Sequence, residues 1–248
     1  MGRLQDKRAL ITGGSSGIGL ETARRFAAEG ARVAITARSQ EGLDSARREI
    51  GDSLVCIQSD SADAPGQKQV AERIRQEFGA LDILFVNAGV AELRPFDQWD
   101  ETAYDRTFSI NVRGPFFLIQ ALLPLFANPA SIVLNASINA HVGMPNTSVY
   151  GASKAALLSL ARTLSGELIA RGIRVNAISP GPIATPLYSK LGLSAHDLEA
   201  TAEAIRAQVP AKRFGTPGEI ANAVVFLASD ESAFTVGSEL IVDGGLGL

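Results

Sequence analysis

The stretch Ala9-Leu10-Ile11-Thr12-Gly13-Gly14-Ser15-Ser16-Gly17-Ile18-Gly19 decides the fold. Its apolar first residues read as a strand, Glu21 to Glu29 read as a helix closed by Gly30, and four glycines fill the turn between them. Glycine permits positive φ and close backbone approach. The helix start behind the turn offers unpaired N–H groups and a partial positive charge, which together suit a pyrophosphate. The spacing departs from the general G-x-G-x-x-G form, so position between strand and helix carries the reading as much as the glycines do. A plain tight turn is the competing interpretation.

The same alternation continues along the chain. Strands are expected at Val33 to Thr36, Leu54 to Ile57, Ile83 to Val86, Ile132 to Asn135, Arg174 to Ile178 and Leu240 to Val242. Helices are expected at Glu41 to Ile50, Gln67 to Phe78, Tyr104 to Phe126, Val149 to Ala170 and Glu219 to Leu227. Regular βα units predict an α/β, Rossmann-type doubly wound sheet of about seven strands, mostly or wholly parallel, with helices on both faces. No linker or repeat divides residues 1–248, which predicts one dinucleotide-binding and catalytic domain. The one irregular stretch, Pro180 to Pro210, passes from turn-rich sequence into a loose helical pattern. Residues 182–210 therefore read as a substrate-binding loop or lid.

Composition narrows the function. With 46% hydrophobic and 20% charged residues the chain has ample material for a core, and a net charge of −3 without a basic run argues against nucleic acid. Cys56 is the only cysteine, which excludes an internal disulfide and fits a reducing, cytoplasmic setting. The N-terminal residues lack an apolar signal region, and no run approaches the roughly eighteen uncharged apolar residues of a membrane span. His141 and His196 are far apart and without cysteine neighbours, so no metal site is expected.

Tyr150 and Lys154 lie four residues apart at the start of a predicted helix and share a face. A phenol with an ordinary pKa of about 10 exchanges protons poorly at neutral pH unless positive charge favours the phenolate. An ammonium at about 4 Å contributes on the order of 4 kcal/mol at an effective dielectric of about 20. Ser137, at the end of the preceding strand, is placed to hydrogen-bond a substrate oxygen at the carboxyl edge of the sheet. At the end of the second strand, Thr36-Ala37-Arg38-Ser39 offers no carboxylate for the ribose hydroxyls of NAD. Arg38 with Ser39 instead suits a 2′-phosphate, with a solvated loop charge as the plainer alternative.

Taken together, these residues resemble the short-chain dehydrogenase/reductase family in its single-domain form, from the first strand to the C-terminus. The glycine turn resembles the family's cofactor motif, placing Gly13, Ser15, Ser16, Gly17, Ile18 and Gly19 at the dinucleotide. Asn87-Ala88-Gly89 resembles its Asn-Ala-Gly, and Tyr150-Gly151-Ala152-Ser153-Lys154 its Tyr-x-x-x-Lys, with Ser137 at the expected distance upstream. Asn111 matches the family's asparagine, and Pro180-Gly181 its nicotinamide turn. One small departure is Asn135-Ala136 before Ser137, where relatives often carry a further serine.

The resemblance implies Tyr150 as general acid/base, Lys154 as ribose ligand and pKa modulator, Ser137 as the group positioning the carbonyl or alcohol, and Asn111 as part of a water relay. It further implies that Ile183 and Thr185 meet the carboxamide and phosphate, that Asp60, beside Ser61, reaches the adenine, and that NADP(H) is preferred while NAD(H) is possible. Homo-oligomers, a tetramer or a dimer, are expected through the helices Tyr104 to Phe126 and Val149 to Ala170.

For the substrate pocket the candidates are Asn139, His141, Thr147, Pro182, Leu187, Tyr188, Leu191 and Leu193. This mostly apolar set predicts a neutral, rather hydrophobic secondary alcohol or ketone, hence an alcohol dehydrogenase or carbonyl reductase. An NAD-dependent alcohol dehydrogenase of the same family is one alternative. A noncatalytic dinucleotide-binding sensor or scaffold is another, disfavoured by the full set of Asn111, Ser137, Tyr150 and Lys154. A sugar-nucleotide epimerase or dehydratase would need a larger C-terminal region.

Overall fold

The computed structural model describes residues 2–185 and 195–248. Seven strands, β1 (Arg8–Thr12), β2 (Arg32–Ala37), β3 (Val55–Gln58), β4 (Leu81–Val86), β5 (Phe126–Asn135), β6 (Ile173–Pro180) and β7 (Glu239–Val242), form one sheet in the order β3-β2-β1-β4-β5-β6-β7. Every neighbouring pair is parallel. The expected Rossmann-type doubly wound sheet is thus present. Its order reverses between β1 and β4, and in such sheets the crevice at the carboxyl ends beside this switch point receives ligands.

Strand alternation builds two cores. Leu10, Leu84, Ile132 and Leu134 face one side, against Val70 and Ile74 of α3 (Gly66–Phe78) and Leu118 and Leu122 of α5 (Gly114–Leu122). Ala9, Ile11, Ile35, Ile83 and Phe85 face the other, against Phe26 of α1 (Gly17–Ala28), Leu43 of α2 (Gln40–Ile50) and Val224 of α8 (Pro217–Ala228). Successive residues of one strand feed opposite cores, the two-residue period of a strand buried on both faces.

Two helices differ from expectation. The first begins at Gly17 rather than Glu21, because Gly17-Ile18-Gly19 form its opening turn despite poor intrinsic propensity. The long helix is three pieces: α4 (Glu101–Phe108), a π turn at Ser109–Arg113, and α5, followed by a 3-10 turn at Leu123–Leu125, so that Phe126 already starts β5. Asp100 caps α4 by accepting from Ala103 N at 2.8 Å, moving its start forward. The break follows from Gly114, where a Cβ would run into the Ser61 carbonyl, and from Pro115, which has no N–H to donate.

The span Glu101–Leu125, 25 residues, is apolar and long enough to cross a bilayer by composition, with a mean hydropathy of 1.3 in its most apolar window. It carries Glu101, Asp105, Arg106 and Arg113, and it packs Leu118, Ile119 and Leu122 into the core. Among the described residues the two remaining α-helices are α6 (Ser148–Leu168) and α7 (Ala195–Gln208), the latter within the expected lid.

Candidate active site

The glycine turn is held against β4 by Asn87. Its Nδ2 donates to the carbonyls of Thr12 at 2.9 Å and Gly13 at 3.3 Å. The Thr12 hydroxyl accepts from the backbone N–H groups of Asn87 and Ala88, both at 2.9 Å. Gly13 and Gly17 adopt positive φ, and a Cβ on Gly19 would stand 2.6 Å from Asn87 Nδ2. The turn therefore needs its glycines. Ser16 takes the N-cap position of α1, but its side chain makes no capping bond, so the helix keeps first-turn donors for an anion.

A cavity of about 790 Å³ opens at the carboxyl ends of the strands. Gly13, Ser15, Ser16, Gly17 and Ile18 line it beside β1, as do Arg38 and Ser39 beside β2 and Asp60 and Ser61 beside β3. Asn87, Ala88 and Gly89 follow from β4, and Pro180, Gly181, Ile183 and Thr185 from β6. Gly19 lies behind the turn, against Asn87. Arg38 is exposed, with no carboxylate partner among the described residues. Ser39 uses its hydroxyl to cap α2, accepting from Gly42 N at 3.2 Å. Asp60 Oδ1 accepts from Ala62 N at 2.9 Å, which fixes its loop at the rim.

Ser137, Tyr150 and Lys154 meet in the same cavity. The Lys154 ammonium, buried, donates to the Asn135 carbonyl at 2.7 Å and sits 5.8 Å from the centroid of the Tyr150 ring. Burial lowers the Lys154 pKa to about 8. Burial pushes the Tyr150 hydroxyl above its ordinary range, while its hydrogen bond with Ser137 acts in the opposite direction. Ser137 begins a 3-10 turn, Ile138–Ala140, and its Oγ accepts from Asn139 N at 3.2 Å.

Asn111 sits behind Gly89 in the π turn. Its Oδ1 accepts from Val90 N at 2.9 Å, and its Nδ2 donates to Val90 O at 2.9 Å and to Ser153 Oγ at 3.0 Å. A Cβ on Gly89 would lie 3.2 Å from Asn111 Oδ1 and 3.3 Å from Lys154 Nζ, so the Asn111 and Lys154 side chains both close on the Gly89 backbone. Pro115, four residues on, leaves the Asn111 carbonyl without its α-helical donor.

Of the expected substrate residues, Asn139, Thr147 and Pro182 line the cavity. His141 does not; its Nε2 lies 2.6 Å from Glu239 Oε1, to which Ser179 also donates. Leu187, Tyr188, Leu191 and Leu193 lie outside the described residues. Several neighbours escaped sequence reasoning: Thr12, Asn135 and Ser153 in the polar scaffold, and Leu93, Met144, Ile205, Gln208 and Leu246 on the cavity wall. Only Thr12 carried a signal, as the last strand residue before the glycines.

The residues fit a dinucleotide on structural grounds. The glycine cradle is closed to any Cβ at Gly19, and the α1 N-terminus faces it uncapped. Two buried amide atoms, Asn135 Oδ1 and Asn139 Nδ2, have no partner among the described residues, the unpaired polarity typical of a site for a polar ligand. Among those residues no three His, Cys, Asp or Glu side chains gather as metal ligands.

Residues 13–247 match the family model described as enoyl-(acyl carrier protein) reductase. An oxidoreductase of Sarocladium schorii, asL5, is 41% identical over 246 residues, covering 98% of this chain and 97% of that protein. A 3-oxoacyl-[acyl-carrier-protein] reductase of Thermotoga maritima is 36% identical over 249 residues, covering 98% and 99%. The crystal structure of a short-chain dehydrogenase/reductase (glucose/ribitol dehydrogenase) from Brucella melitensis superposes with a TM-score of 0.93 at 34% identity, covering 100% of this chain and 99% of that one.

Proposed function

The chain belongs to the short-chain dehydrogenase/reductase family of oxidoreductases, whose members bind a nicotinamide dinucleotide, and from that premise we propose that it interconverts a neutral, rather hydrophobic ketone and secondary alcohol with NADP(H). The observation that carries this reading is the meeting of Ser137, Tyr150 and Lys154 in the cavity that the glycine turn borders. A carbonyl oxygen placed there faces two hydroxyl donors at once. The similar Thermotoga protein is named for reduction of a 3-oxoacyl group, itself a ketone.

When bound, the nicotinamide supplies or accepts the hydride at the carbonyl carbon. In reduction the Tyr150 hydroxyl gives its proton to the carbonyl oxygen as negative charge gathers there, and Ser137 stabilises that oxygen by a second hydrogen bond. Oxidation runs the proton back to Tyr150. Burial disfavours the phenolate and the hydrogen bond with Ser137 opposes that effect; a charged Lys154 beside the ring would favour the phenolate further. Lys154, with its pKa near 8, also exchanges protons readily near neutral pH, and the Asn111 carbonyl provides an acceptor for a relay toward solvent.

Arg38 is the group for the 2′-phosphate: its guanidinium stands exposed at the cavity rim beyond a strand end, Ala37, that offers no carboxylate. Residues 1–248 act as one domain, with 182–210 as the substrate loop. A homo-oligomer would cover Tyr104, Phe116 and Phe117, which α4 and α5 leave exposed.

A panel of ketones and alcohols assayed with NADPH, NADP, NADH and NAD, followed by the absorbance of the reduced nicotinamide, tests the proposal. Turnover of neutral ketones with NADPH above NADH is expected. Cofactor binding without turnover of any carbonyl or alcohol would favour a noncatalytic role instead.

A further inference from the structure

The segment beyond β7 folds back onto the site. Asp243 Oδ1 accepts from Gly245 N at 2.8 Å and its Oδ2 from Gly247 N at 2.7 Å, so one carboxylate anchors the amides on either side of Leu246. Ala211 N, just past α7, donates to Gly244 O at 3.0 Å. Gly244 and Gly245 both adopt positive φ, where a side chain would be strained, and a Cβ on Gly244 would stand 2.7 Å from Val209. A Cβ on Gly247 would stand 2.9 Å from Ile138, the residue after Ser137, and one on Gly181 would stand 2.6 Å from the Asp243 backbone. The tail is thereby wedged between the Pro180-Gly181 turn, the end of α7 and the serine segment. Leu246 lines the cavity, as do Ile138, Met144 and Ile205, whereas Leu248, two residues on, is fully exposed.

We propose that Leu246, held by the Asp243 clamp, is a specificity-determining residue: an apolar end wall that limits the bulk of the group attached to the reacting carbonyl. This rests on the ketone/alcohol reading above. A two-point anchor matters because a flexible tail would yield to a large substrate, while a leucine pinned on both sides competes with it for space. The class admitted is a ketone with a compact apolar substituent, and a fused bicyclic or naphthyl substituent meets the wall.

The test compares the wild type with Leu246→Ala, Leu246→Phe and, as a control on the same tail, Leu248→Ala. Cyclopentanone and 2-acetonaphthone serve as small and bulky probes. Calorimetric binding in the presence of NADP is measured alongside NADPH turnover. Removing the leucine side chain is expected to shift the bulky-to-small ratio, in both binding and kcat/KM, by about tenfold toward the bulky ketone. Leu246→Phe should shift it the other way, and Leu248→Ala should leave it in place. An unchanged ratio in Leu246→Ala, an equal shift in Leu248→Ala, or failure of both ketones to bind the wild type and Leu246→Ala overturns the proposal. Binding with the expected shift but no turnover leaves the wall standing and counts against the ketone/alcohol reading instead.

Discussion

The Nζ of Lys154 donates to the main-chain carbonyl of Asn135 at 2.7 Å, joining the second turn of α6 to the end of β5. This bond gives a buried ammonium one fixed partner and no carboxylate. The lysine is held in place at the cost of desolvating its charge.

That cost has a pH signature. The folded pKa of about 8 lies below the ordinary 10.5, so the unfolded chain binds more protons between these values and stability rises with pH across that window. Below pH 8 the full penalty, on the order of 3 kcal/mol, is present. Lys154→Met should therefore be more stable than wild type at pH 7, less whatever the lost bond to Asn135 contributed. Its advantage should shrink from pH 8 to 10.5. Urea unfolding at pH 7, 8.5 and 10 checks this, and a pH-independent difference would show that burial does not shift the lysine.

Thr12→Val removes the acceptor shared by Asn87 N and Ala88 N while keeping the shape. Leaving these part-buried donors unpaired should cost about 1–3 kcal/mol and loosen the glycine turn with it. Thermal unfolding reads the first effect, and NADPH fluorescence titration should show weaker binding. Unaltered cofactor affinity would mean that Thr12 supports the strand but not the site.

Asn111→Ala strips partners from Val90 N, Val90 O and Ser153 Oγ together. We expect a loss of about 2 kcal/mol of stability, because one buried and two part-buried groups lose their bonds at once. A lower kcat is expected as well. Native-like stability would show that these groups find other partners.

Arg38→Ala should lower kcat/KM for NADPH by about tenfold or more while sparing NADH, since charge-assisted bonds to a phosphate contribute roughly 1.5–3 kcal/mol. Steady-state kinetics with both cofactors decides it. A preserved NADPH-to-NADH ratio would remove Arg38 from phosphate recognition.

The sheet was legible because its strands are apolar on both faces and separated by helices of ordinary period: β1, β2 and β4 lie within one or two residues of where alternation places them. The opening of α1 was hidden, since Gly17 and Gly19 read as loop, and it is the packing of Gly19 against Asn87 that a sequence does not display. The break at Ser109–Arg113 was hidden too. It follows from the close approach of Gly114 to Ser61 across the fold, which the sequence does not encode, together with Pro115, the one local signal for it. The Thr12 hydroxyl bonds to backbone N–H groups and Asn135 acts through its own carbonyl, so neither leaves a spacing between side chains to detect. His141 is near Ser137 in sequence, but the 3-10 turn between them directs it to Glu239. Leu246 follows the last strand in a segment without periodicity, and only its anchoring by Asp243 brings it to the cavity.

Whether Tyr150 moves the proton is read by single-turnover kinetics of Tyr150→Phe with NADPH and a ketone accepted by the wild type. The chemical step should slow by about 10²–10⁴-fold, as expected for loss of a general acid, with NADPH affinity nearly unchanged. A chemical step close to the wild-type rate would contradict that role for Tyr150.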